Sequence, residues 1–261
     1  MMSDIDTFID TQAHDIRSAA YREKCKNELQ KNGALKLNSF IQPDTLEHLI
    51  HEAKAAQKGA FYTSAKHNVY LTKQNPALSD DHVYNRMLSS SKGCICTDQI
   101  PSKSPLLHIY NAAEFKSFIA AVVDEDALYP YADPLSSVNV HYASEGQELN
   151  WHFDNSEFAI TLLLQRPTEG GTFEYVKNMR DADAGDMNYD SVLSVLDGQT
   201  PVEILDIDPG TLVLFRGRNS MHRVTPSIGE RQRMLVVLAY NSQPGIALSE
   251  TARQTFYGRL E

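Results

Sequence analysis

The chain has 261 residues, and its 24 Lys+Arg against 34 Asp+Glu give a formal charge of −10. With no clustered positive charge to meet a phosphate backbone, nucleic-acid binding is excluded. No run approaches the roughly 18 consecutive apolar residues that a membrane span demands, and 42% hydrophobic with 22% charged residues is an ordinary globular composition.

Met1-Met2-Ser3-Asp4-Ile5-Asp6 carries acid and no apolar core, so no secretory leader is expected. The odd set Cys25, Cys94 and Cys96 points to a reducing, cytoplasmic setting, and the C-x-C pair, with no second pair nearby, reads as structural. From Asp15 to Asn32, Ile16, Ala19, Ala20, Cys25 and Leu29 recur at near-helical spacing, and Gly33 stands where a left-handed cap is wanted. Ala34-Leu35-Lys36-Leu37 alternates as a short strand. Pro43-Asp44 opens a second helix through Leu46, Leu49, Ile50 and Ala53 to Gly59. Residues 60–104 are polar, show no sustained period and read as long loops with short elements, of the kind that frame sites. A third helix is expected over Ala112–Val123, with Phe115, Phe118, Ile119 and Val122 on one stripe.

Past Pro134 the texture changes. Val138–Tyr142, Phe158–Leu164, Thr172–Val176, Val202–Leu205, Thr211–Phe215 and Met234–Tyr240 are short β-branched or aromatic runs between turn clusters, the pattern of a sandwich or jelly roll. Asn178–Gln199 interrupts them as an insertion with room for one helical turn. Its Asp181–Asp186 stretch fails as a calcium loop, because Asp186 and Val192 stand at the sixth and twelfth places where Gly and Glu are needed. It reads as a solvated acidic loop.

The residues that carry chemistry are Asn150-Trp151-His152-Phe153-Asp154, Met221-His222-Arg223-Val224 and Arg231-Gln232-Arg233. On a strand, His152 and Asp154 share a face. A second histidine from a later strand, His222, would complete a two-histidine, one-carboxylate facial triad, which leaves adjacent positions on Fe(II) open for a chelating cosubstrate and O₂. Composition alone supplies on the order of one H-x-D doublet, so the weight falls on order and spacing. The doublet opens the β-rich region, and arginines follow His222 by nine and eleven residues, after the turn Pro226–Glu230. The distal carboxylate of 2-oxoglutarate asks for such a guanidinium fork.

This H-x-D…H…R order resembles the Fe(II)/2-oxoglutarate-dependent oxygenase superfamily. More narrowly, Ala132-Asp133-Pro134-Leu135, Val138-Asn139, Trp151–Asp154, Glu157-Phe158, Gly170–Tyr175, Pro209–Leu212, Phe215-Arg216-Gly217, His222–Pro226 and Phe256–Arg259 are similar to the group of free-amino-acid radical halogenases and related lysine hydroxylases. The resemblance covers roughly residues 100–259. It implies an α+β, mainly β fold: a double-stranded β-helix, or distorted jelly roll, over 135–245. A mainly helical, loop-rich part (1–134) would buttress it, a C-terminal segment (246–261) would lie near the active site, and the whole would form one domain. It also implies that His152, Asp154 and His222 hold iron and that Arg231, with Arg233 as the alternative, anchors 2-oxoglutarate; parity puts both on one strand face, so the sequence leaves the choice open. In halogenating members the place of Asp154 is held by a small residue without a ligand atom. A carboxylate there implies hydroxylation of an unactivated C–H bond, with release of succinate and CO₂.

The implied partner is a small molecule, a free amino acid with lysine or a similar polar one favoured; a homodimer is left open. Such a substrate needs a cation for its carboxylate and an acid for its ammonium. Arg86, Asp133, Asn155, Phe256 and Tyr257 are the candidates, and Asn155 departs from the acid that lysine-acting halogenases are understood to carry after the ligand doublet. Trp151 reads as core packing, Gly170-Gly171 as a tight turn, and Arg216, Arg218 and Arg223 as structural pairs with the acid excess. The alternatives are the same chemistry on a peptide or carrier-bound aminoacyl group, and a non-redox, cupin-like metal-binding protein.

Overall fold

The computed structural model describes residues 4–261, so the leader reading at Met1–Ser3 lies outside the described residues. Helix α1 (Ala19–Asn32) starts on Ser18, whose hydroxyl accepts from the Tyr21 N–H, and ends on Gly33 at φ 71°, whose N–H donates to the Leu29 carbonyl. Strand β1 (Ala34–Leu37) and helix α2 (Pro43–Ala56), with proline in its first turn, follow as expected.

The next segment differs from expectation. Residues 60–104 contain two paired strands, β2 (Phe61–His67) and β3 (Leu88–Ile95), registered Thr63↔Lys92 and Phe61↔Cys94. Their hydroxyl-rich sequences hide the period-two signal, because β2 is an edge strand with little apolar burial to display. The connection between them is organised by buried amides rather than by apolar residues. Asn68 Oδ1 accepts from the N–H groups of Tyr70 and Thr72, and the Asn85 amide reaches the carbonyls of Asn75, Leu78 and Ser79.

Helix α3 (Pro105–Asn111), unforeseen, precedes α4 (Ala113–Val123). The β-rich part then supplies β4 (Val138–Ala143), β5 (Leu149–His152), β6 (Ala159–Gln165), β7 (Glu169–Gly170) and β8 (Phe173–Val176), followed by α5 (Tyr189–Leu196) inside the insertion. After these come β9 (Glu203–Leu205), β10 (Leu212–Phe215), β11 (Met221–Val224), β12 (Ser227–Ile228), β13 (Arg233–Leu238) and a further unforeseen helix, α6 (Glu250–Tyr257). The major sheet runs β1-β10-β6-β13-β4-β3-β2 and the minor sheet β5-β11-β8-β9; every pairing is antiparallel. The N-terminal part therefore contributes three strands to the major sheet as well as the helices that cover it.

Period-two alternation decides which face of that sheet does what. Ile160, Leu162 and Leu164 of β6 and Met234, Val236 and Leu238 of β13 pack with Leu29, Leu49, Phe115 and Phe118 of the helices in one apolar core. The alternate residues, Thr161 on β6 and Arg233, Leu235 and Val237 on β13, line a cavity of about 360 Å³ shared with the minor sheet. Among the described residues no single helix is long and apolar enough to cross a membrane.

Candidate metal centre and cosubstrate cavity

His152 ends β5 and His222 lies on β11 directly opposite it, so backbone pairing alone brings the two imidazoles together, with ring centroids 4.1 Å apart. Asp154 is two residues past His152. Its N–H donates to the Gly217 carbonyl, and the Phe153 N–H donates to the Val69 carbonyl, which pins the doublet between the β2–β3 connection and the turn before β11. Each imidazole donates from Nδ1 to a backbone carbonyl, His152 to Asn150 at 2.8 Å and His222 to Ser220 at 3.0 Å, which fixes the tautomer and leaves Nε2 as a lone-pair donor. The two Nε2 atoms face Asp154 at 3.6 and 3.7 Å, one on each carboxylate oxygen, and a ligand atom from each of the three lies within 4.8 Å of the others. Ligand bonds of about 2.0–2.2 Å put two donors of one ion roughly 3–4 Å apart, so the trio fits a single divalent metal.

The protonation states agree with that fit. Burial pushes the His222 imidazole down to about 4, so it is neutral at physiological pH. Burial works against the Asp154 carboxylate, but the facing imidazoles and Lys92 outweigh it and hold the group below the usual carboxylate range. Asp154 Oδ2 is buried without a hydrogen-bond partner among the described residues, the state of a ligand atom reserved for an ion. The site also requires Gly217, because a Cβ there would stand 1.8 Å from Asp154 Oδ2. Phe215 and Phe173 pack on the His222 ring at 4.8 and 5.6 Å between centroids.

The arginines separate cleanly. Arg233, on β13, is 8% exposed and lines the triad's cavity; its side chain makes no ion pair or hydrogen bond among the described residues, and burial pulls it down to about 10. It remains a cation, without a counter-charge. Arg231, favoured from sequence, precedes the strand and donates to the Pro167 carbonyl at 2.9 Å, outside the triad's cavity. The parity argument fails for it because residue 231 still belongs to the turn. Gly171 makes room for Arg233: a Cβ at this φ +60° position would meet Arg233 Cδ at 3.1 Å and Pro167 at 2.7 Å.

Most of the expected substrate residues lie elsewhere. Arg86 pairs with Asp197 at 2.5 Å in partly exposed surroundings. Asp133 is buried and saturated, accepting from the N–H groups of Leu135, Ser136 and Leu248 and from the Ser136 hydroxyl, so it ties a loop rather than holding an ammonium. Asn155 is exposed, and its carbonyl accepts from Arg218. Tyr257 is buried with Cys94, Cys96 and Leu135, and its hydroxyl meets Asn139 Oδ1 at 3.0 Å. Phe256 alone of these lines the cavity. Trp151 is in an apolar cluster as expected, with the Arg223 guanidinium over its ring, while Arg223 and Arg218 pair with Glu174, Glu157 and Asp183 and Arg216 donates to the Val123 carbonyl. Sequence reasoning missed Lys92, His141, His67 and Ser90, all on the cavity wall; they lie in or beside the strands whose period was hidden.

An antiparallel β-helix of two sheets enclosing a two-histidine, one-carboxylate cluster is the fold of the Fe(II)/2-oxoglutarate oxygenases. A 2OG-Fe(II) oxygenase-family oxidoreductase from Burkholderia pseudomallei superposes with a TM-score of 0.54 at 13% identity, over 86% of this chain and 92% of that one. The non-heme α-ketoglutarate-dependent epimerase SnoN from nogalamycin biosynthesis gives 0.60 at 11% identity, over 85% and 84%. A prolyl-4-hydroxylase from Pseudomonas putida gives 0.52 at 12% identity, over 83% and 96%. No curated protein sequence matches the chain. The chain belongs to the halogenase D family, whose model matches residues 17–256.

Proposed function

We propose that the protein is an Fe(II)/2-oxoglutarate-dependent dioxygenase that hydroxylates an unactivated C–H bond of a small molecule, a free amino acid being the first class to test. The observation that carries this reading is the pairing, in one cavity, of a three-donor metal cluster with a buried guanidinium that has no counter-charge. His152, Asp154 and His222 would hold the iron, and Arg233 would take the distal carboxylate of 2-oxoglutarate. Bound there, iron with its keto-acid cosubstrate and O₂ supplies the oxidising power to break a C–H bond.

The chain's own groups bind and orient. The Asn150 and Ser220 carbonyls keep both Nε2 lone pairs aimed at one point. With iron bound, Asp154 would be a third protein ligand where the resemblance gives halogenating members none, which supports oxygen rather than halogen transfer. The aliphatic and aromatic lining, including Phe158, Leu235 and Val237, would keep bulk water from the reacting centre. Anaerobic Fe(II) addition with 2-oxoglutarate is expected to raise a visible charge-transfer band. Succinate release is expected to depend on both and on one member of an amino-acid panel, with a product heavier by roughly 16 mass units. Tight Zn or Mn binding without the band would identify a non-redox metal protein instead, and turnover on tethered aminoacyl or peptide substrates alone would remove the free-amino-acid reading.

A further inference from the structure

Across β4 from the arginine, the same cavity holds a second cation that makes no ion pair among the described residues, with Cys94 and Asp154 acting on it only through longer-range attraction. Lys92 stands on β3; its Nζ lies 3.2 Å from Nε2 and 3.4 Å from Nδ1 of His141, and 5.5 Å from the centre of the Phe256 ring. Burial first, and Lys92 itself, push His141 down, so it is a neutral ring with one lone pair to offer. An ammonium has three donors. Lys92 makes no ion pair among the described residues, so at least two of its N–H bonds have no acceptor from those residues while it faces the cavity. Among the described residues the cavity wall carries two cations, Lys92 and Arg233, and a single carboxylate, Asp154, which the triad uses.

Two unpaired cations call for two anionic guests. A dicarboxylic cosubstrate satisfies Arg233 with its distal end and spends its other carboxylate at the metal, which leaves Lys92 for something else. The register sets the two cations on either side of Ala143, Arg233 on β13 and Lys92 on β3 one place before the Gly93↔Tyr142 pair, so their backbones stand two strand spacings, roughly 9–10 Å, apart. We infer that Lys92, backed by His141, receives the carboxylate of the organic substrate, and that the substrate's side chain is uncharged. An α-ammonium lies beside its own carboxylate, so the zwitterion brings no net charge, but a basic side chain would add a remote ammonium with no free acid to meet it, and a buried unpaired ammonium is strongly disfavoured. Uncharged aliphatic or aromatic amino acids, or the amino-free acids of the same shape, fit; lysine, ornithine and arginine do not. Lys92 is a specificity-determining residue on this view. The inference rests on the oxygenase reading proposed above.

The experiment uses the full chain loaded anaerobically with Fe(II) and 2-oxoglutarate. The wild-type charge-transfer band comes first, and its absence would sink the oxygenase reading itself. With the band present, perturbation of its shape and succinate release are compared for norleucine against lysine, close in shape but differing by one terminal ammonium, and for norleucine against norleucine amide, which lacks the carboxylate. Leucine, phenylalanine, ornithine and arginine, with hexanoate as an amino-free acid, complete the panel. Uncharged acids are expected to act and the amide and basic amino acids to fail. In Lys92→Met the KM for the active acid is expected to rise by at least about 30-fold, the range for truncating one partner of a buried charge pair, with kcat much less affected, and Lys92→Arg to recover part of the loss. Thermal melting checks that both variants fold. A preference for lysine or ornithine, equal turnover of the amide, or an unchanged KM in Lys92→Met would overturn the inference. So would loss of the 2-oxoglutarate band in a folded Lys92→Met, since it would assign the residue to the cosubstrate.

Discussion

Arg231 and Arg233 differ by two places in the chain and by everything in environment. A carboxylate bound on the buried Arg233 is held in low dielectric without competing water, whereas Arg231 already spends a donor on the Pro167 carbonyl. Arg233→Gln is therefore expected to raise the KM for 2-oxoglutarate by at least about 30-fold. Arg231→Gln should leave it within about twofold, since exposed charges contribute little. Titrating the charge-transfer band with 2-oxoglutarate distinguishes the two. Gly217 makes a second residue-level test. A methyl group there displaces the Asp154 carboxylate from the point where both Nε2 atoms meet it. Gly217→Ala should fold, yet bind Fe(II) more weakly than the roughly 10–100-fold loss typical of outer-shell substitutions; calorimetric metal titration beside a melting curve reads both quantities. The candidate ligands were legible in the sequence because residue type and spacing single them out. The need for glycine at 217 was not, because the atom it avoids lies 63 positions away in the chain.

The elements that position the site are joined by backbone-accepting side chains. Asp133 links the loop before β4 to Leu248 in the segment ahead of α6, and its bonds from Leu248, Ser136 and Leu135 outweigh desolvation and hold the carboxyl below its ordinary value of 3.8. A depressed folded-state value means the stabilisation is complete above the unfolded value and disappears as pH falls through the folded one. Asp133→Asn turns one oxygen into a donor facing an N–H, which is expected to cost about 1–3 kcal/mol near neutrality. The melting difference from wild type should shrink below about pH 4; a constant difference across pH would show that ionisation plays no part. At this scale the sequence signalled α1, β1, α2, α4 and the apolar strands through caps and periodicity. The β2–β3 pair escaped because its hydroxyl-rich strands form an edge and a cavity wall, where no apolar alternation is required. Helices α3 and α6, of seven and eight residues, are too short for a pattern to stand out.

Across the whole molecule, the metal and cosubstrate would bridge the two sheets, since His222 and His152 belong to the minor sheet and Arg233 to the major one. Ligands that bind only the folded state add about 2.7 kcal/mol at a hundredfold excess over Kd. A rise of roughly 5–10 °C in Tm is therefore expected on anaerobic loading with Fe(II) and 2-oxoglutarate, and a chelator should reverse it. Little or no shift would mean that the pair does not tie the sheets together.

The identity of the candidate metal donors, the β-rich core and the cationic requirement of the proposed cosubstrate site were set by residue type and period, which are local properties written along the chain. Which arginine is buried, that Asp133 and Arg86 serve structure, and that Lys92 faces the triad's cavity were decided only by folding. Burial, the loss of water and the presence or absence of a counter-charge belong to the packed space between strands, and these strands are brought together from both ends of the sequence.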